Sequence, residues 1–423
     1  MKFENNQKYA QEADAQDPLK SFRSKFHIPQ HKGKDCIYFT GNSLGLLPKN
    51  TEKAVLQELE DWRKMGVEGH MNAKNPWFYY HNFVSDSLAK IVGAKPTEVV
   101  AMNSLTVNLN LMMVSFYQPN GNRKRILVEN NPFPSDYYAI EQQIKFHGHD
   151  PEECIIELKP GSDEHSLSTT SIIKSIEKYG DEIALVLIGG VNFYTGQFFD
   201  LEKITTAAHD AGAFVGFDLA HAIGNVPLAL NNWGVDFAVW CTYKYLNSGP
   251  GSVGGAFVHE RHGNNPELPR MSGWWGNDEE SRFEFPKNFE PQTGAAGWQM
   301  SNAPVLSLAA HKAALEIFDE AGMQALREKS IQLTAYMEFI LKDIWKRSGV
   351  SFTVITPKSP EERGCQLSIL TGPDGKKIFE KLTAEGVVAD WRNPNVIRVA
   401  PVPLYNTFED IYNFGRIIES ASN

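Results

Sequence analysis

The chain reads as an α/β protein, a mostly parallel seven-stranded sheet covered by helices and followed by a smaller C-terminal α/β domain. Three observations predict this. Between residues 99 and 258, apolar runs of strand length alternate with stretches of helical period across short connections. At 423 residues and 42% apolar content, the chain is too long for one simple core and rich enough to fill two. Beyond residue 304 a long helical stretch gives way to a second, shorter set of strands and helices. The division that follows is an arm and segment packing with the small domain (1–60), a large ligand-binding domain (61–310) and the small domain (311–423).

The elements follow in order. Residues 1–35 suit a helical arm and loop; this start is polar and acidic, which argues against a signal peptide. A strand at 36–40 precedes Gly41-Asn42-Ser43-Leu44-Gly45, a match to the GxSxG turn of serine hydrolases. That turn needs several upstream sheet strands and a helix directly after it, whereas one strand precedes Ser43 and Pro48 follows it. A helix over 52–65 ends at Gly66, and a loop with His70, Pro76 and Trp77 leads into a helix reaching Gly93. The strand 99–102 runs into small polar residues opening a helix to Phe116, so Thr106 sits where backbone N–H groups favour an anion, or where a simple cap would sit.

Strands at 125–129, 154–158, 183–191, 214–217, 236–241 and 255–258 alternate with helices near 137–147, 171–178 and 201–210. Ligands of such sheets bind at strand carboxyl ends, where Phe133, Pro134, Ser135 and Asp136 follow the second strand. Gly249 to Gly254 fits GxGxxG, but outside a first βαβ unit and with Pro250 in the tight turn, which argues against dinucleotide binding. His259 and His262 read as surface residues. Residues 264–303 are loop-rich, and the Trp274-Trp275 pair between glycines suits a binding loop more than a core. A helical stretch over 304–347 breaks near Gly322; strands at 352–355, 366–370, 387–390 and 396–399 and a helix over 410–420 complete the chain. Arg398, on an apolar strand, calls for a carboxylate partner.

The net charge is −10, with Lys and Arg scattered, which suggests neither nucleic acid nor a membrane as partner. Four distant cysteines without CxxC spacing indicate no metal site and no disulfide framework. No apolar run approaches the ~20 residues of a membrane span, and a cytoplasmic protein is the expectation.

The chemistry centres on residues 214–247. One apolar run delivers Asp218 at its carboxyl end and, 26 residues later, another delivers Lys244, with His221 and Tyr243 close by in sequence. A core salt bridge would use such a pair. So would a pyridoxal phosphate (PLP) site, in which the lysine holds the cofactor aldehyde and the acid keeps the pyridine nitrogen protonated.

With these residues assembled, the chain resembles the kynureninase family of fold-type I PLP enzymes. The resemblance runs over nearly the whole length: GNSLG at 41–45, LTVN at 105–108, FPSD at 133–136, FYTGQ at 193–197, VGFDLAHAIGN at 215–225, WGVDFAVWCTYKYLN at 233–247, GWWG at 273–276 and RNPNVIRVAPVPLYN at 392–406. It implies Lys244 as the Schiff-base lysine, Asp218 and His221 at the pyridine ring, and Phe133 stacked on it. Leu105, Thr106, Pro134, Ser135 and Tyr243 would surround the phosphate, with Asp136 nearby. It implies a homodimer with shared sites, Trp274 and Asn302 crossing from the partner, and Arg398 on the substrate carboxylate. Ser43, His70, Trp275 and Ser301 complete the expected substrate contacts; His70, Ser301 and Asn302 match the form that acts on the 3-hydroxy substrate. Tyr243 is the expected proton shuttle. Gly189 stands where some relatives carry a hydroxyl residue. A cysteine desulfurase or class V aminotransferase would share Asp218 and Lys244 but not the GWWG and RVAPVPLYN segments.

Overall fold

The computed structural model describes residues 3–162, 164–348 and 352–422. Its main sheet has seven strands: β1 (Val99–Ala101), β2 (Arg125–Val128), β3 (Ile155–Glu157), β4 (Ile183–Gly189), β5 (Phe214–Asp218), β6 (Phe237–Trp240) and β7 (Gly255–Val258). Their order is β1-β7-β6-β5-β4-β2-β3, and all neighbours are parallel except β7, which runs antiparallel to both β6 and β1. The strands are apolar apart from charged residues at their ends, as expected where both faces are covered. Alternate residues feed two separate cores, with Leu127, Val186 and Phe217 on one side and Ile126, Leu187 and Val239 on the other.

The C-terminal part carries an antiparallel sheet of β8 (Phe352–Val354), β9 (Leu367–Thr371), β10 (Asp390–Arg392) and β11 (Val396–Val399), in the order β8-β9-β11-β10. It packs on the helices Met323–Ser348 and Phe408–Ser422, and Ala10 and Phe39 from the N-terminal segment enter the same core.

Four local readings change. The strand at 36–40 shortens to Ile37–Tyr38 and pairs in parallel with Val387–Val388, apart from the main sheet. The strand at 387–390 is consequently two: Val387–Val388 serves that pairing, whereas Asp390 is drawn beside Arg398 in β10. The helix reaching Gly93 is a 3-10 segment, Trp77–Val84, followed by the helix Ser85–Val92. Its start is tied down by buried Glu58, which accepts from Asn75 Nδ2, Trp77 Nε1 and Tyr80 Oη at 2.7, 3.0 and 2.9 Å. Finally, His259 and His262 are not surface residues: His262 lies 2.7 Å from buried Asp236, and His259 accepts the Arg261 N–H at the start of a short helix. Among the described residues no helix is long and apolar enough to cross a membrane.

Candidate active site

Two strands of the sheet end in helices whose first turns meet. β1 leads through Asn103, in the left-handed region at φ 49°, into the helix Leu105–Phe116, and β2 leads through Glu129 into the helix Pro134–Phe146. Neither helix has a side-chain cap at its start, and Thr106 Oγ1 lies 2.7 Å from Ser135 Oγ. Uncapped N–H groups, two hydroxyls and two helix dipoles thus converge on one point, a setting made for a phosphate. The GxGxxG segment borders it: a Cβ on Gly254 would stand 3.0 Å from the Leu105 nitrogen, so a larger residue there would crowd the helix start.

β5 and the segment after β6 supply the other side. Asp218 Oδ1 accepts the Ala220 N–H at 2.7 Å, and Lys244 Nζ lies 3.0 Å from His221 Nε2 and 5.7 Å from the centre of the Phe133 ring. One cavity is lined by Leu105, Thr106, Phe133, Ser135, Asp136, Asp218, His221, Tyr243 and Lys244, with Pro134 in the helix turn between Phe133 and Ser135. Burial pushes the Asp218 carboxyl up, while Lys244, a hydrogen bond with Asp136 and the Ala220 N–H pull it down. Asp136 is driven well above the carboxylate range by burial and by Asp218. Two buried acids side by side disfavour ionisation of both together. Burial and the charges of Lys244, Arg398 and Arg392 hold His221 well below its ordinary value, so its ring is neutral. Burial raises the Tyr243 phenol, which stays protonated at neutral pH.

Two buried polar atoms in this cavity, Asp136 Oδ1 and His221 Nδ1, have no hydrogen-bond partner. Orphaned groups of this kind await a ligand. An anion cradle, a lysine beside a neutral imidazole and a carboxyl pair fit the phosphate, aldehyde and pyridinium of PLP. Fold and site thus define a PLP-dependent enzyme of fold type I.

The remaining expected residues lie elsewhere. Gly45, not Ser43, touches the site segment: its N–H donates to the Tyr243 carbonyl at 2.8 Å, and a Cβ there would stand 2.4 Å from the Lys244 carbonyl oxygen. Ser43 is exposed. Arg398 is buried and already paired, its Nε 2.5 Å from Asp390 Oδ2 and its Nη1 2.5 Å from the Phe193 carbonyl oxygen. Trp275 is buried, whereas Trp274 is 44% exposed, so the tryptophan pair is half core. Trp275 stacks on Phe78 at 5.6 Å, and Phe78 stacks on His70 at 4.8 Å. Ser301 and Asn302 are exposed and line a separate cavity with Gly251 and Val253. Sequence reasoning missed Glu129 and Phe193, which line the Lys244 cavity. Glu129 carried the signal that singled out Asp218, an acid closing an apolar run.

Comparison with known proteins agrees. Residues 326–418 match the family model described as the kynureninase C-terminal domain. A kynureninase of Flavobacterium johnsoniae is 52% identical over 421 residues, 100% of this chain and 99% of that protein. One from Myxococcus xanthus is 50% identical over 418 residues, 99% and 97% of the two chains. The chain belongs to the kynureninase family. Among solved structures, cysteine desulfurases from Thermococcus onnurineus and Escherichia coli superpose with TM-scores of 0.74 each at 16% and 17% identity, covering 97% and 95% of this chain and 97% and 98% of theirs. At that identity they share the fold alone.

Proposed function

We propose that the protein hydrolyses the Cβ–Cγ bond of L-kynurenine or L-3-hydroxykynurenine, giving anthranilate or 3-hydroxyanthranilate and L-alanine. The observation that carries this reading is the Lys244, His221 and Asp218 constellation at the strand ends of a chain related over its full length to kynureninases. When bound, PLP supplies an aldehyde for the Lys244 amine and a protonated ring that accepts electron density from the substrate Cα.

This chain's residues do the rest. Leu105, Thr106, Pro134 and Ser135 would hold the phosphate at the two helix starts, and Phe133 and His221 would hold the ring. Asp218, backed by Asp136, would keep the ring nitrogen protonated. Lys244 Nζ moves the proton at the substrate Cα. Tyr243, held protonated, gives its proton to the ketone oxygen as water adds at Cγ, recovers one from the adding water, and takes up the gem-diol proton through a second such exchange as the Cβ–Cγ bond opens and its electron pair passes to Cβ. Arg398 takes the substrate carboxylate by exchanging part of its hold on Asp390.

The working unit is a homodimer with shared sites in the cytoplasm, serving tryptophan breakdown or pyridine nucleotide biosynthesis. Trp274, Ser301 and Asn302 are exposed and do not line the Lys244 cavity of their own chain, which favours their reaching a partner's. Leu56, Leu59, Trp62, Val67 and Met71 add an exposed apolar face, which favours the same assembly. His70, Ser301 and Asn302 offer polar groups to a ring hydroxyl, with Trp275 and Ser43 near the aryl group, and the 3-hydroxy substrate is preferred.

The test is release of fluorescent anthranilate from kynurenine, together with kcat/KM for both substrates. No release overturns the reaction; a preference for unsubstituted kynurenine overturns only the specificity.

A further inference from the structure

The cofactor cavity and Arg398 are joined by one turn. Asn192 follows β4, and its Oδ1 accepts three bonds from the turn it begins: the N–H groups of Tyr194 and Thr195 at 3.0 and 2.9 Å and the Thr195 hydroxyl at 3.1 Å. Gly196 closes the turn at φ 75°, and a Cβ there would stand 3.0 Å from the Gln366 carbonyl oxygen. Three of the turn's carbonyls are engaged by the small sheet and its approach. Phe193 O accepts from Arg398 Nη1 and Gln366 Nε2, Tyr194 O from Ser368, and Thr195 O from Thr356. On the cavity side, the Phe193 ring meets the Phe133 ring edge-on at 5.3 Å.

A single carboxyl group fixes this turn from below. Glu129 Oε1 accepts from Asn192 Nδ2 at 3.2 Å and Oε2 from the Gly189 N–H at 2.9 Å. A Cβ at position 189 would stand 3.2 Å from both oxygens, so the glycine there leaves room for the acid. With its Oδ1 committed to the turn, Asn192 has only its amide NH2 to offer, and Glu129 is the buried acceptor that orients it.

We propose that Glu129 and Asn192 are positioning residues of the reaction: they lock the 192–197 turn, and the turn in turn sets where Arg398 and Phe133 stand. Neither touches the substrate. Their effect on turnover passes through the carboxylate-binding guanidinium and the stacking ring. The Arg398 part rests on the function proposed above, in which that arginine binds the amino-acid carboxylate.

The experiment uses the PLP-loaded full-length protein and measures binding of L-alanine and of L-alaninamide, which lacks the carboxylate, by calorimetry. Asn192→Ala is expected to weaken L-alanine binding about tenfold, as if one Arg398–carboxylate hydrogen bond of about 1.4 kcal/mol were lost once the turn is no longer held, and to leave alaninamide within about twofold. In turnover the same change raises KM by a similar factor and kcat falls less. In an Arg398→Lys background the Asn192→Ala step adds nothing further, because both changes act on one contact. Glu129→Gln, which keeps the size but replaces one acceptor by a donor, shows the same pattern more weakly and decides the matter should Asn192→Ala fail to fold. Equal losses for alanine and alaninamide, or additive effects of Asn192→Ala and Arg398→Lys, overturn the proposal. If the parent protein binds L-alanine in preference to the amide yet releases no anthranilate, the reaction fails and the positioning role is still read.

Discussion

Asp218 closes β5 at the carboxyl edge of the main sheet, while Asp236 precedes β6 at the amino edge; the two are 8% and 2% exposed. They are buried acids at opposite ends of neighbouring strands. Asp236 is saturated: it accepts the Val215 N–H at 2.7 Å, His209 Nε2 and His262 Nε2 lie 3.0 and 2.7 Å away, and Arg261 pairs with it. Although burial pushes its carboxyl up, the bonds from His209, His262 and Arg261 hold it well below the carboxylate range. Asp218 has one backbone bond and a second acid for a neighbour, and burial prevails. The first arrangement lowers the energy of the empty fold. The second leaves an acid short of partners, and that deficit is what a cationic ring repays.

The sharpest way to break the comparison is to remove a charge from each edge. Asp218→Asn and Lys244→Ala are each expected to cut turnover by about a thousandfold or more, the scale of losing a proton-handling group, with no fall in the melting temperature of the apoprotein. Asp218→Asn removes a carboxyl raised by burial, so its melting temperature at neutral pH holds or rises. A large drop in melting temperature with activity retained would assign Asp218 to the scaffold.

Asp236→Asn is the converse. It leaves Arg261 and two histidines around an uncharged amide, and the expected cost is about 2–3 kcal/mol, reduced from the buried-pair range because Arg261 and His209 reach solvent. Chemical denaturation should show that loss with kcat unchanged. The sign with pH follows from the lowered carboxyl. Its stabilisation is present above the ordinary aspartate value and is lost as pH falls below it, so the gap between parent and Asp236→Asn should close as pH falls below about 4. A gap that stays open below that pH would mean that the cluster does not hold Asp236 ionised.

How legible these edges were in sequence differs for a physical reason. The strand alternation and the placement of Asp218, Lys244 and the FPSD turn are local patterns, since a strand's carboxyl end is where the next residue must leave the sheet. The Asp236 cluster is not local: His209 and His262 lie 27 and 26 residues away, and only the antiparallel return of β7 carries the latter beside it. Two histidines three apart in sequence, read alone, look solvated. GNSLG was similarly opaque, because its glycines answer to the Lys244 backbone and to Tyr405, contacts made across the whole chain. Trp274 and Asn302 do not line the Lys244 cavity, so the geometry of that cavity says nothing of them.

The smallest expected effect probes the anion cradle. Thr106→Ala deletes one partner of the 2.7 Å bond with Ser135 but leaves the backbone N–H groups and both helix dipoles in place. A single hydrogen bond contributes about 1 kcal/mol, so the PLP dissociation constant should rise about fivefold, while kcat at saturating cofactor stays near the parent value. Ser135→Ala should match it, and the double variant should cost less than the sum, because the two hydroxyls bond to each other as well as to the ligand. Full additivity would place the two hydroxyls on separate groups of the cofactor and break the convergence of the two helix starts on one phosphate.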